Sequence, residues 1–120
     1  MNTSRLQSLD ELKLRLREFA RERDWEQFHS PKNLAMALIV EAGELVEHFQ
    51  WLTETQSQTL DAGQREQVAL ELADVFIYLV RLADRLNVDL LDTAQLKIAL
   101  NAQKYPADQV RGSAKKAGDY

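Results

Sequence analysis

Apolar residues recur along this chain at the three-and-four spacing of helix faces, and no stretch shows the strict alternation of a half-buried strand. Leu9, Leu12, Leu16 and Phe19 mark a first helix, with Lys13, Arg15, Arg17 and Glu18 turned mainly outward. Ser8-x-x-Glu11 has the form of a capping box at its start. The segment from Arg23 to His29 then reads as a connecting loop. Ser30-Pro31 opens a second helix, with Ser as N-cap and Pro where a missing N–H costs nothing. That helix is expected to run to about Trp51. Leu52–Gly63 is polar and turn-rich, a connection with room for a short helical turn. The pattern places a third helix from near Gln64 to Leu86-Asn87. A fourth runs from an N-cap at Asp89 to about Gln103 and stops before Pro106. The expected fold is all-α, an antiparallel four-helix bundle over residues 1–106, followed by a mobile tail over residues 107–120.

The third helix is apolar around most of its circumference, more than one small monomeric bundle can cover. The bundle is therefore expected to be completed by oligomerisation, with this helix also packed against a second subunit. A chain of 120 residues suits one domain with a real core rather than two. A net charge of −4 gives no footprint for a nucleic acid polymer. The absence of cysteine excludes disulfides, zinc–thiolate sites and thiol nucleophiles and suits a cytoplasmic setting. MNTSRLQSLDELKLRLRE has no apolar core and does not read as a signal peptide. No charge-free apolar run approaches the roughly 20 residues of a membrane span, so no membrane association is expected.

Against this background four acids stand out. Glu41 and Glu44 interrupt the apolar run LAMALIVEAGELV, and Glu71 and Asp74 interrupt VALELADVFIYLVRLA, where Arg81 is the only other charge. Each pair is spaced i, i+3 and so shares one helix face. Burying an unpaired carboxylate costs several kcal/mol, on the order of a large share of a small domain's stability. If the second and third helices are antiparallel neighbours, the two pairs can face each other and share a divalent cation. An all-oxygen donor set suits Mg²⁺, or Mn²⁺ as substitute, better than zinc or copper. Mg²⁺ usually retains waters and completes its shell with substrate phosphates, which points to phosphate chemistry. The plainer reading is two solvated acidic faces. Glu47 adds a third acid at i+3, about 60° further round the helix than Glu44, as a site-edge residue or a solvent partner. Gly43, costly in mid-helix, suggests that a side chain there would crowd the site or a packed neighbour.

Beyond the acids, the motif EAGE followed by ELAD resembles the MazG-like all-α nucleoside triphosphate pyrophosphohydrolases. The longer runs RDWEQFHSPKNLAMALIVEAGELVEHFQW and ELADVFIYLVRLADRLNVDL, with Lys104-Tyr105-Pro106, look like the dCTP pyrophosphatase branch over roughly residues 15–106. The resemblance implies Mg²⁺-dependent cleavage of a (deoxy)nucleoside triphosphate, dCTP or a modified pyrimidine analogue, to the monophosphate and pyrophosphate. It implies that Glu41, Glu44, Glu71 and Asp74 hold the metal. It also implies that Trp25–His29, including Phe28, contact base and sugar, that Trp51 and Tyr78 line the nucleotide pocket, and that the chain forms dimers or tetramers.

The residues carry further candidates. A carboxylate not fully engaged by metal can orient or deprotonate the attacking water, which singles out Glu44 and Glu47. Lys97, Asn101 and Lys104 recur at i, i+4 and i+7 on the fourth helix, one stripe suited to a phosphate tail or simply a solvated face. Trp25, followed by Glu26 and Gln27, is either a stacking platform for a base or a loop anchor. His29 taken alone is as readily a structural hydrogen-bonder. His48, one turn beyond Glu44, is either a partner to a metal-binding carboxylate or a partly exposed residue. A di-iron centre, which uses Glu-x-x-His, is disfavoured because His48 follows Glu44 by four with Leu45 three before it, and the third helix has no His. The remaining alternative is a non-catalytic helical oligomerisation or adaptor module with an acidic partner-binding face.

Overall fold

The computed structural model describes residues 3–115 and is all-helical; among the described residues there is no β-strand. The chain divides into two units, one ending at Asn87 and the next beginning at Val88. The first holds α1 (Leu9–Glu22), a 3₁₀ turn at Glu26–Phe28, α2 (Pro31–Glu47), the single turn α3 (Glu54–Ser57) and the long α4 (Ala62–Arg85). The second holds α5 (Leu90–Lys104) and the short α6 (Ala107–Val110). The segment read as a tail from residue 107 thus begins with a helical turn; residues 116–120 lie outside the described part.

Side-chain caps set the helix starts. The Ser8 hydroxyl accepts from the Glu11 N–H at 3.0 Å, while the Glu11 carboxylate reaches one residue further back and accepts from the Gln7 N–H. Ser30 accepts from the Asn33 N–H ahead of Pro31. Asp61 and Gln64 form a reciprocal capping box, which starts α4 at Ala62 and makes Gln64 its third residue. Thr53 and Gln56 do the same for α3, and Asp89 caps α5 through the Asp92 N–H. Asp24 and Asn87 follow α1 and α4 in the left-handed region, at φ 54° and 55°, where short polar residues turn a chain out of a helix.

The end of α2 differs from expectation. The α-helix of α2 ends at Glu47, and the chain continues to Leu52 in turns closed by His48 N–H to Leu45 O, Phe49 N–H to Val46 O and Leu52 N–H to Phe49 O. His48 and Phe49 are as compatible with a helix as their predecessors, so local propensity carries no stop signal.

Within the first unit α4 packs along α2 and against α1. His29, just before α2, bonds to Arg81 late in α4, whereas His48, just past α2, lies beside Glu71 early in α4. Rising numbers on α2 meet falling numbers on α4, so the two helices are antiparallel, as expected. The buried apolar residues are Ala20, Leu34, Val68, Val80 and Ala83, and Leu34 is 1% exposed. Large parts of the apolar surface stay uncovered: Met36, Ile39, Val40 and Val46 make one stripe on α2, and Leu72, Phe76 and Leu79 another on α4. Gly43 lies within the α2 stripe, and a Cβ there meets nothing within 4 Å. Crowding inside this chain therefore does not explain the glycine.

A charged cluster ties α1 to α4. Arg17 donates from Nε and Nη2 to the two Asp84 oxygens at 2.7 and 2.6 Å, and Arg81 Nη1 lies 3.5 Å from Asp84 Oδ2. The paired bond from Arg17 holds the Asp84 carboxyl below the usual aspartate range, against the opposing effect of its burial, with the Arg17, Arg81 and Lys13 charges adding to the lowering. A depressed folded-state value contributes stability above the ordinary aspartate range and loses it as pH falls through the depressed value. Replacing Asp84 with Ala leaves Arg81 buried without a carboxylate and is expected to cost about 3 kcal/mol in urea unfolding. Between neutral and acidic pH the variant should lose less further stability than the wild type. Equal acid limbs in the two proteins would contradict this role.

Candidate metal centre and nucleotide-contacting residues

Antiparallel packing of α2 on α4 brings acids from both helices to one place. Glu41, Glu44 and Glu71 each offer an oxygen, and the three oxygens lie within 4.8 Å of one another. Glu41 and Glu71 are half-buried, and Glu44 is exposed on the solvent side. Oε2 of Glu41 and Oε2 of Glu71 are shielded from solvent without a hydrogen-bond partner. A native fold rarely leaves such acceptors unsatisfied, and each costs on the order of 1–3 kcal/mol or more when charged. Burial pushes the Glu41 carboxyl up, and a hydrogen bond with Glu44 and the charges of Glu44, Asp74 and Glu71 push the same way. Like charges this close are held together at a cost that a bound cation removes. Orphaned, shielded oxygens in an all-oxygen group fit a hard divalent cation.

Asp74 lies outside this close group and is exposed, although its charge acts on Glu41. Glu47 is exposed and also outside the group. His48 Nε2 lies 3.7 Å from Glu71 Oε1, too long for a hydrogen bond but close enough for an electrostatic pairing when the ring is protonated.

The aromatic candidates fall into two sets. Trp25 packs edge-on to Phe19 at 5.8 Å and to His29 at 6.4 Å, so it is anchored on α1 while 44% of it stays exposed. Phe28 is exposed at the end of the 3₁₀ turn, and its carbonyl accepts from Asn33 Nδ2 at 3.0 Å. Tyr78 is half-buried on α4, two turns beyond Glu71. Because α2 stops at Glu47, Trp51 lies beyond the helix; it sits on the following turn and is 86% exposed. Lys97, Asn101 and Lys104 are exposed on α5, and Lys104 Nζ lies 5.6 Å over the Tyr105 ring.

Periodicity did not foretell the side chain on which His29 rests. Arg81 Nε donates to His29 Nδ1 at 3.2 Å, and Arg81 is only 4% exposed. The available signal was its position as the one basic residue in the apolar run of α4.

The model of the MazG-like family matches residues 36–120, and the chain belongs to that family. It is 47% identical over 114 residues to dCTP pyrophosphatase 1 of Mus musculus, which takes in 93% of this chain and 67% of the mouse protein. The protein of the same name from Homo sapiens is 47% identical over 111 residues, covering 91% of this chain and 65% of its own length. The chain thus spans about two thirds of the length of these relatives. A solved pyrophosphatase from Archaeoglobus fulgidus superposes with a TM-score of 0.79 at 34% identity, over 88% of this chain and 99% of that one. No helix among the described residues is long and apolar enough to cross a membrane.

If the acid group exists to hold a cation, adding a divalent cation should raise the melting temperature. The gain is about 2.7 kcal/mol at one hundred times the dissociation constant. Glu71→Gln should lose that gain while melting no lower than wild type without metal, since one repelling charge is gone. A metal-induced rise of full size in Glu71→Gln would count against the site.

Proposed function

We propose that this protein is a Mg²⁺-dependent nucleoside triphosphate pyrophosphohydrolase. Its substrate would be a deoxynucleoside triphosphate, dCTP or a modified pyrimidine analogue, and its products the monophosphate and pyrophosphate. The observation that carries the reading is the convergence of Glu41, Glu44 and Glu71 with two shielded oxygens left unpartnered. The dCTP pyrophosphatase relatives support the substrate class.

In this reading Glu41, Glu44 and Glu71 hold the ion, with Asp74 as a fourth ligand beside them. Bound there, Mg²⁺ neutralises the charge on phosphate oxygens that grows as pyrophosphate leaves. The reaction joins a water oxygen to the α-phosphorus and breaks the bond from that phosphorus to the pyrophosphate oxygen. The water's proton goes to a carboxylate, for which Glu44 and Glu47 are the candidates. Glu44 stands within the acid group and Glu47 outside it. Trp25, Phe28 and His29 contact base and sugar. Tyr78 and Trp51 line the nucleotide, the exposed Trp51 by stacking. The uncovered stripes on α2 and α4 support assembly into a homodimer or homotetramer, in which each subunit completes the four-helix bundle. A cytoplasmic setting fits a chain with no cysteine.

Pyrophosphate release measured with Mg²⁺ across natural and modified triphosphates should be largest for a pyrimidine deoxynucleotide, and no release from any of them would refute the reading. Glu44→Gln and Glu47→Gln separate the candidate bases. The residue that takes the proton should lose about 10²–10⁴-fold in kcat with an unchanged Mg²⁺ midpoint, while a pure ligand shifts that midpoint. A loss of neither quantity in both variants would remove the two glutamates from the mechanism. Trp51→Ala should raise KM by the equivalent of about 1–3 kcal/mol of stacking, with little change in kcat. An unchanged KM would take Trp51 out of the nucleotide site.

A further inference from the structure

Arg81 is a charged residue that the fold buries, only 4% exposed, and its partners are unusual. Asp84, the carboxylate in reach, already takes two short bonds from Arg17, and Arg81 Nη1 stands at 3.5 Å from it. Nη2 is shielded from solvent with no acceptor at all. The better-formed bond of Arg81 goes to a neutral acceptor, His29 Nδ1, at 3.2 Å. A buried guanidinium with one nitrogen unsatisfied is not how a fold gains stability, because an apolar side chain of similar size is often as good or better. Its presence calls for a role other than holding α4 in place.

The bond has a definite chemical consequence. A guanidinium has five N–H groups and no lone pair, so it can only donate. The Nδ1 that receives this bond must therefore be unprotonated, which leaves the ring neutral with its proton on Nε2. Burial pushes His29 below the ordinary histidine value. The charges of Arg81 and Arg85 on α4 add to that lowering, and Glu26 on the adjoining 3₁₀ turn opposes it. Trp25 packs edge-on to the same ring and limits its swing.

We propose that Arg81 is a positioning residue that fixes His29 as an uncharged Nε2–H donor, aimed at an acceptor on the base or sugar of the nucleotide. The proposal rests on the reading of Trp25–His29 as nucleotide-contacting. A neutral donor rewards only an acceptor placed in line with its N–H. An imidazolium would attract phosphate oxygens from any direction and so compete with the acid group for the polyphosphate. Arg81 thus serves discrimination between the two ends of the substrate, acting through His29 without touching the substrate.

The test begins with the wild-type full-length chain. With only two histidines, His29 and His48, the imidazole ¹⁵N spectrum is assigned by His48→Gln. His29 should show an unprotonated Nδ1 and a protonated Nε2 at neutral pH, with a midpoint below that of free histidine. Arg81→Met should raise the midpoint, and Arg81→Lys should restore part of the lowering. In kinetics, Arg81→Met should raise KM for the preferred triphosphate about tenfold, the order expected for one well-aimed hydrogen bond. The Mg²⁺ midpoint should stay unchanged. In a His29→Ala background the same substitution should change KM less than twofold, whereas a merely structural Arg81 would cost the same in both backgrounds. A proton on Nδ1 in the wild type overturns the proposal even if the variants do not fold, and so does an equal KM penalty in the two backgrounds. No turnover of any triphosphate refutes the functional reading instead, and with it the nucleotide half of this proposal; the ring spectra still decide whether Arg81 governs His29.

Discussion

Repulsion among carboxylates is the constraint to which the rest of this molecule answers. Glu41, Glu44 and Glu71 are held with oxygens within 4.8 Å of one another at the contact between two largely apolar helices. Neither the apolar packing nor the neighbouring side chains satisfy the shielded oxygens of Glu41 and Glu71. A fold that keeps such an arrangement spends stability on it, and what repays the cost has to come from outside the chain. The antiparallel run of α2 along α4 serves this end, because it sets the i, i+3 pair Glu41 and Glu44 of one helix against Glu71 of the other.

The far end of the same helix pair carries a second polar cluster of opposite character. Where the acid group lacks a counter-charge, Arg17, Asp84, Arg81 and His29 supply their own partners across α1, α4 and the start of α2. The helix pair is therefore cation-seeking at one end, whereas at the other the Arg17 and Arg81 guanidinium groups share the Asp84 carboxylate. The exposed apolar stripes run between these ends, and Gly43 sits in one of them with open space around it. A glycine there suits close approach by another backbone, in line with the assembly proposed above.

Much of this was legible in the residues because caps and periodicity are local. Ser8, Ser30 and Asp89 start helices by hydrogen bonds three residues long, and the acids stand out wherever the surrounding run is apolar. What was illegible depends on residues far apart in the chain. Arg17 and Asp84 are 67 residues apart and Arg81 and His29 are 52, and nothing in either neighbourhood announces the partner. The second helix was expected to reach Trp51, since no residue after Glu47 breaks a helix, but its α-helix ends at Glu47. Asp74 shares the spacing of the motif yet stands apart from the three-acid group, because spacing fixes a helix face and not how far an exposed side chain reaches into a site.

The most direct test of the central claim is to locate the cation. Crystals grown with Mn²⁺ and a non-hydrolysable deoxycytidine triphosphate analogue give an anomalous signal that marks the metal without reference to any model of the site. The account predicts a peak within coordination distance of oxygens from Glu41, Glu44 and Glu71, with the analogue's phosphates on its open side. A Mn²⁺ peak held elsewhere on the chain, with these carboxylates turned to solvent, would contradict it.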